Sequence, residues 1–252
     1  MPYAIKAQWD SRDVKTVLAA LAPRQWQFAT AVALTRLAQH VKTAERADMS
    51  RSLDRPTPYT LNSLYLQRAT PTNQEARVWF KEFAPKGTPA GKYLMPQVHG
   101  GERPEKRFER SLQHAGLLRA GKQLVPASGA ARDQYGNVRR SIYTRILSQL
   151  HASSDATQNQ TITTKRRARR RGAQQYFYGN PGGKGRGVWL RIPGGRVLGG
   201  RMGSQIVPIF LEAGRHRYRP RFAFFTIAER VARARYQDEF ETAARQTIRT
   251  AK

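Results

Sequence analysis

An α+β fold, with long N- and C-terminal helices packed on an antiparallel sheet, follows from three observations in this 252-residue sequence. Apolar residues recur every three to four positions from Pro23 to Arg46, and again from about Arg221 to Thr250. Between them, apolar and polar residues alternate at 76-ARVWFKEFA-84, and short apolar pieces alternate with glycine pairs at 186-RGVWLRIPGGRVLGGRMGSQIVPIFL-211. A period near 3.6 marks helices with one buried stripe, and a period of two marks half-buried strands.

In the first helix Trp26, Ala29, Ala33, Leu37 and Val41 form the stripe, and Pro23 suits a first helical position. Pro56 and Pro58 break the chain, after which Leu61, Leu64 and Tyr65 predict a short helix. Val78 and Phe80 face one way and Arg77, Trp79 and Lys81 the other, as in a strand. The Pro- and Gly-rich 85-PKGTPAGKYLMPQVHGGE-102 reads as loop and turns. Pro104 opens a helix carrying Phe108 and Leu112, with Gly116 past its end. The turn 133-DQYGN-137 precedes a helix over 138–152 with Ile142, Ile146, Leu147 and Leu150 on one face. The last helix buries Phe225, Ala228, Ala232, Tyr236, Phe240, Ala243 and Thr247, and turns Glu229, Arg233, Asp238, Glu239 and Arg245 to water. The expected divisions are an N-terminal part of the α+β core at 1–84, a helical insertion at 85–152, a basic flexible loop at 153–185 and the C-terminal part of the core at 186–252.

Charge bounds the function. Lys and Arg number 45 against 17 Asp and Glu, a net +28. Such a surplus repels itself, so it predicts a strongly acidic partner. The absence of cysteine excludes disulfides and thiolate chemistry. The apolar stretch 17–34 is broken by Pro23, Arg24 and Gln25, and no membrane partner is expected. The N-terminus lacks the pattern of a signal peptide, so synthesis in the cytoplasm is the default expectation.

The charge concentrates in 163-TTKRRARRRGAQQYF-177, where Lys165, Arg166, Arg167, Arg169, Arg170 and Arg171 fill six of seven positions. No acidic residue occurs between Asp155 and Glu212, whereas Lys184, Arg186, Arg191, Arg196 and Arg201 fall in that span. A solvated face is the ordinary reading of a charge run, but here nothing nearby balances it. Two functional readings stand open: salt-sensitive contact with DNA phosphates, or pairing with carboxylates of a neighbouring subunit. Tyr176, Phe177, Tyr178 and Trp189 read first as ordinary strand residues and second as a surface on which bases stack.

A search for chemistry returns little. His40, His99, His114, His151 and His216 have no ligand-type partner at helical spacing, so no metal motif can be written. The carboxylates of 237-QDEFE-241 and Asp133 read as solubilising and turn-forming groups rather than magnesium ligands. The segment 179-GNPGGKGRG-187 lacks the Gly-Lys-Ser/Thr of a phosphate-binding loop, since Gly185 follows Lys184. The expectation is a protein that is not an enzyme, with no cofactor.

Within 89–150, the pattern YL-x-P-x-V-x-GG-x-R-x-x-K-x-FE at 93–109 and D-x-YGN at 133–137 resemble a block of bacteriophage and prophage structural proteins. The layout of the long first helix, 67-QRAT-70, 76-ARVWFK-81, the mid-chain basic run and 207-VPIFLEAGRHRYRPRF-222 before a terminal helix is similar to the minor tail protein Z, or tail-completion, family of long-tailed phages. The resemblance implies a virion protein at the junction of head and tail, forming a homo-oligomeric ring and contacting other tail, neck or connector proteins, with viral DNA as one candidate for the basic run. It carries over no catalytic residue. A free nucleic-acid-binding protein and a connector of a short-tailed phage are the competing readings. No helix-turn-helix spacing, zinc finger or aromatic RNA-binding pattern supports the first of these.

Overall fold

The computed structural model describes residues 23–250 except 86, 195, 198, 199 and 202. The chain forms two units: residues 1–100 with 218–252, and residues 101–217 inserted between them. The N-terminal 22 residues of the expected 1–84 division lie outside the described set.

In the first unit, α1 (Pro23–Ser52) packs along α7 (Phe224–Thr250). The expected stripe of α1 is observed: Ala29, Ala33, Leu37 and Val41 are buried, and Trp26 sets its ring 5.1 Å from that of Phe240. Polar links run along the helix pair, from Arg36 to the Gln246 side-chain Oε1 at 2.7 Å and between His40 and Glu239 at 2.7 Å. On α7 the outward charges pair within the helix, Glu229 with Arg233 and Glu241 with Arg245. Such exposed i,i+4 pairs contribute a few tenths of a kcal/mol each.

The hairpin of β1 (Leu64–Gln67) and β2 (Arg77–Phe80) closes this core. Leu64, Val78 and Phe80 are buried, while Tyr65 and Trp79 meet edge to face on the outer side. The expected strand at 76–84 is therefore present. The short proline-started helix expected within 53–70 is present but shorter: α2 spans only Pro58–Leu61, capped by Thr57, and Leu64 and Tyr65, expected to continue its spacing, lie in β1. The apolar spacing of Leu61 and Leu64 suits either state, and pairing with β2 decides it.

The Pro- and Gly-rich segment contains α3 (Ala90–His99) rather than loop alone. Ala90 and Leu94 bury one face, and Pro96 sits in the last turn, where its missing N–H costs one intrahelical bond. The Gln97 carbonyl accepts from the amides of Arg221 and Phe222. Gly100 ends the helix at φ 73°, where a Cβ would lie 3.0 Å from the Tyr218 carbonyl oxygen.

The second unit opens with the two-residue β3 (Gly101–Glu102) and is built on a four-stranded antiparallel sheet ordered β4-β9-β6-β5, with β4 at Gln123–Pro126, β5 at Gln175–Gly179, β6 at Gly187–Ile192 and β9 at Gln205–Ala213. The boundaries expected at 85–152 and 186–252 therefore move. Strand β4 belongs with β9, through register pairs such as Leu124 with Glu212, and cannot be separated from the strands that follow. Pro208 lies inside central strand β9, and the β6 register slips there, so that Val188 opposes Phe210 and Trp189 opposes Pro208. A bulge is how a sheet accommodates a residue without an N–H. Gly187 permits the close approach of β6 to β9, since a Cβ there would meet the Phe210 carbonyl oxygen at 2.1 Å.

Helices α4 (Arg107–His114) and α5 (Arg140–Gln149) supply the rest of this core. Phe108, Leu112, Ile142 and Ile146 are buried, as their spacing predicts, and the rings of Phe108, Tyr143 and Phe210 pack within about 5 Å of one another. The turn at 133–137 also forms as expected: Asp133 Oδ1 accepts from the amides of Tyr135 and Asn137.

An α+β fold is thus present, with the long helices on each other and on the small hairpin, and the larger sheet wholly inside the inserted unit.

Candidate functional site

The expected flexible basic loop is corrected first. Residues 153–161 are tied to α5: Ser148 donates to the Gln158 carbonyl at 2.6 Å and accepts, through its own carbonyl, from Gln160 at 3.0 Å. Asp155 then caps a single helical turn by accepting from Thr157. The basic run follows as α6 (Ile162–Arg170). Thr161 is its N-cap, accepting from the Thr164 amide at 3.2 Å, and Gly172 at φ 68° closes the far end through a bond from its amide to the Arg169 carbonyl. Lys, Arg and Ala are all strong helix formers, and cations in the last turn complement the negative end of the helix. Thr161 before the run and Gly172 after it are the sequence signals that bound this helix.

No residue of α6 is buried. Lys165, Arg166, Arg167, Arg169, Arg170 and Arg171 are all exposed, and Ala168 is half-buried. Among the described residues, no carboxylate forms an ion pair with any of the six. The helix also carries Ile162 largely bare, at 73% exposure. An α-helix with no buried face contributes little to folding, so its sequence answers to something other than the core.

The other predicted cations separate from this cluster. Arg186 pairs with Glu212 at 3.1 Å and lies over the Tyr178 ring, whose hydroxyl donates to the same Glu212 carboxylate. Burial, together with the adjoining Glu212 carboxylate, pushes the Tyr178 hydroxyl up, so it stays protonated and acts as the donor. Arg186 thus differs from the six cations of the run in having a carboxylate partner within its own unit, while its side chain stays exposed. Arg191 sits 5.2 Å from the centre of the Phe177 ring and is exposed. Arg196 and Arg201 oppose one another on the two-residue strands β7 (Arg196–Val197) and β8 (Gly200–Arg201); their side chains lie outside the described set.

The aromatics resolve toward strand packing. Trp189 is 3% exposed and donates its indole N–H to the Gly185 carbonyl, and Tyr176 packs in the core, so neither is open to a stacked base.

The block at 93–109 has an architectural place in the fold. Its first half lies in α3, where Leu94 and Pro96 are buried and the Tyr93 hydroxyl meets that of Thr60 at 3.1 Å. Its second half converges on Glu109, which is fully buried. That carboxylate accepts from both terminal nitrogens of Arg103, one at 2.8 Å, from the Lys106 amide at 2.7 Å and from the Leu124 amide at 2.9 Å. It therefore caps α4 and pins it to β4 at once. Burial alone would raise its carboxyl, but these donors hold it below the usual carboxylate range. Sequence reasoning quoted Arg103, Lys106 and Glu109 as a motif without seeing that they form one cluster; the Lys106-x-x-Glu109 spacing before an apolar run was the available hint.

Among the described residues no group of three or more His, Asp or Glu side chains is placed to hold a metal ion, and no helix is long and apolar enough to cross a membrane. No family model, curated protein or solved structure matches the chain.

Proposed function

We propose that this protein is a structural component of a tailed bacteriophage, a tail-completion or neck protein that forms a homo-oligomeric ring at the head-tail junction and works by docking, without turnover or cofactor. The observation that carries the reading is α6 with Arg171 at its C-cap: six exposed cations that pair with no carboxylate among the described residues, on a helix with no buried residue. Helices of this kind are built for a partner, and a net charge of +28 makes that partner acidic. The block at 93–109 supports the reading from the sequence side: the residues that carry the likeness to phage structural proteins serve here as a buried scaffold, which suits a protein valued for its shape. Neighbouring tail, neck or connector proteins are the partners in this account, and the virion its location.

Replacing all six cations of Lys165–Arg171 by serine tests it. None of the six is buried, so the variant should keep the wild-type circular dichroism spectrum and melting behaviour. In the phage that encodes the chain, it should block completion of infectious particles. Normal infectivity would remove α6 from the mechanism.

A further inference from the structure

The five cations of α6, Lys165, Arg166, Arg167, Arg169 and Arg170, together with Arg171 at its C-cap, occupy three sides of the helix. Successive residues of an α-helix step by about 100°. Lys165 and Arg169 therefore lie on one flank, Arg167 and Arg171 on the opposite flank, and Arg166 and Arg170 between them, an arc of about 240°. Ala168 fills the gap in that arc and is the half-buried residue of the helix, so the gap is the side turned to the rest of the unit. The cations thus point left, right and outward.

We propose that α6 docks in the major groove of duplex DNA, with its two flanks on the phosphates of the two groove walls. This deepens the reading of α6 as the docking element and rests on it. A flat acidic protein face meets one side of a helix and leaves a flank in water. A groove meets three sides, and the major groove of B-form DNA, about 12 Å wide, admits a helix with its side chains. The narrow major groove of duplex RNA does not. Charge density agrees: six charges over the seven residues from Lys165 to Arg171, at about 1.5 Å of rise each, give about one positive charge per 1.7 Å, the axial density of negative charge on DNA. Cations three and four positions apart along the helix repel one another, and a dense polyanion relieves that repulsion along the whole run at once.

Anisotropy of a short, labelled, blunt-ended DNA duplex, titrated with the full chain across a potassium chloride series, tests the proposal. Three double variants are compared with wild type: Lys165→Gln with Arg169→Gln, Arg167→Gln with Arg171→Gln, and, as a control of equal charge on α7, Arg230→Gln with Arg235→Gln. Glutamine keeps helix propensity, and circular dichroism confirms the fold. Each flank pair should lower the slope of log affinity against log salt by about 1.8, two phosphate contacts at about 0.9 each, and the control should leave the slope unchanged. A silent flank would overturn groove docking, as would a control that loses as much as the flanks. So would displacement of the duplex by polyglutamate as readily as by unlabelled DNA, which would assign α6 to an acidic protein. Particle completion separates this inference from the broader reading. Flank variants that lose the salt slope yet complete particles normally would keep the DNA contact and remove the assembly role; variants that fail in completion with the slope intact would keep the assembly role and overturn the DNA contact.

Discussion

Replacing Glu109 by alanine should cost the inserted unit about 3–5 kcal/mol, the loss seen when one partner of a buried ion pair is removed. The carboxylate receives four hydrogen bonds, two from Arg103 and one each from the Lys106 and Leu124 amides, and its removal takes this shared acceptor from all of them. The Arg103 side chain, 15% exposed, would be left a nearly buried cation. Urea unfolding, followed by the fluorescence of Trp189 in the same unit, measures the loss. Glu109→Gln, which keeps one acceptor oxygen, should fall between wild type and alanine. Restoring a balanced apolar pair with Arg103→Met and Glu109→Met should recover much of the stability. An alanine variant within about 0.5 kcal/mol of wild type, the range of ordinary surface changes, would show that the cluster does not hold α4 to β4.

The second large effect lies in the other unit and has the opposite pH dependence. Glu45, on α1, is fully buried, and among the described residues neither of its carboxylate oxygens has a hydrogen-bond partner. Burial pushes its carboxyl up to about 9 from an ordinary value of 4.5. The folded state then holds a proton that the unfolded state releases, so stability from this group is fully present below 4.5 and falls as pH rises toward 9. At 1.36 kcal/mol per pH unit, the loss between 4.5 and 7 is about 3 kcal/mol. Glu45→Met should therefore stabilise the first unit at pH 8 and abolish this slope. Glu109 behaves conversely: its carboxyl is held low, so its contribution is present above the ordinary carboxylate value and is lost as pH falls through the folded one. Calorimetry across pH should thus show the first unit weakening toward alkali and the second toward acid. A transition for the first unit that does not move between pH 5 and pH 8 would contradict the burial of an unpaired Glu45.

What the sequence disclosed, and what it hid, divides by the range of the interaction involved. The stripe of α1, the alternation at Val78 and Phe80, and the faces of α4 and α5 are local patterns set by the period of one element and were legible. On α7 Ala228, Phe240, Ala243 and Thr247 are buried as expected, whereas Phe225, Ala232 and Tyr236 are half-buried. Phe224, Ile227 and Ala244 are buried instead, and Glu239 turns to His40 rather than to water. Helix α3 was hidden because Pro89, Gly91 and Pro96 read as loop, although Ala90 and Leu94 keep helical spacing. Strand β1 was hidden because a four-residue apolar run has no period of its own and takes its state from β2. The order β4-β9-β6-β5 and the insertion of the whole second unit are consequences of pairing between distant segments, which no local pattern encodes.

The candidate site divides the same way. Six neighbouring cations were legible as a run, and their exposure on one helix keeps them together. The ion pair of Arg186 was not legible, because its partner Glu212 is 26 positions away in the chain and meets it only across the β6–β9 ladder. The deepest polar cluster, around Glu109, was visible as a phage-like motif before its physical role was, since the Leu124 amide that completes it comes from another element.

Quantitative mass spectrometry of high-salt-washed particles tests the central claim most directly, by asking whether this chain is present and in how many copies. A small fixed number per particle, that of one closed ring, is the predicted result. Absence from washed particles that are complete and infectious would contradict a structural role at the head-tail junction.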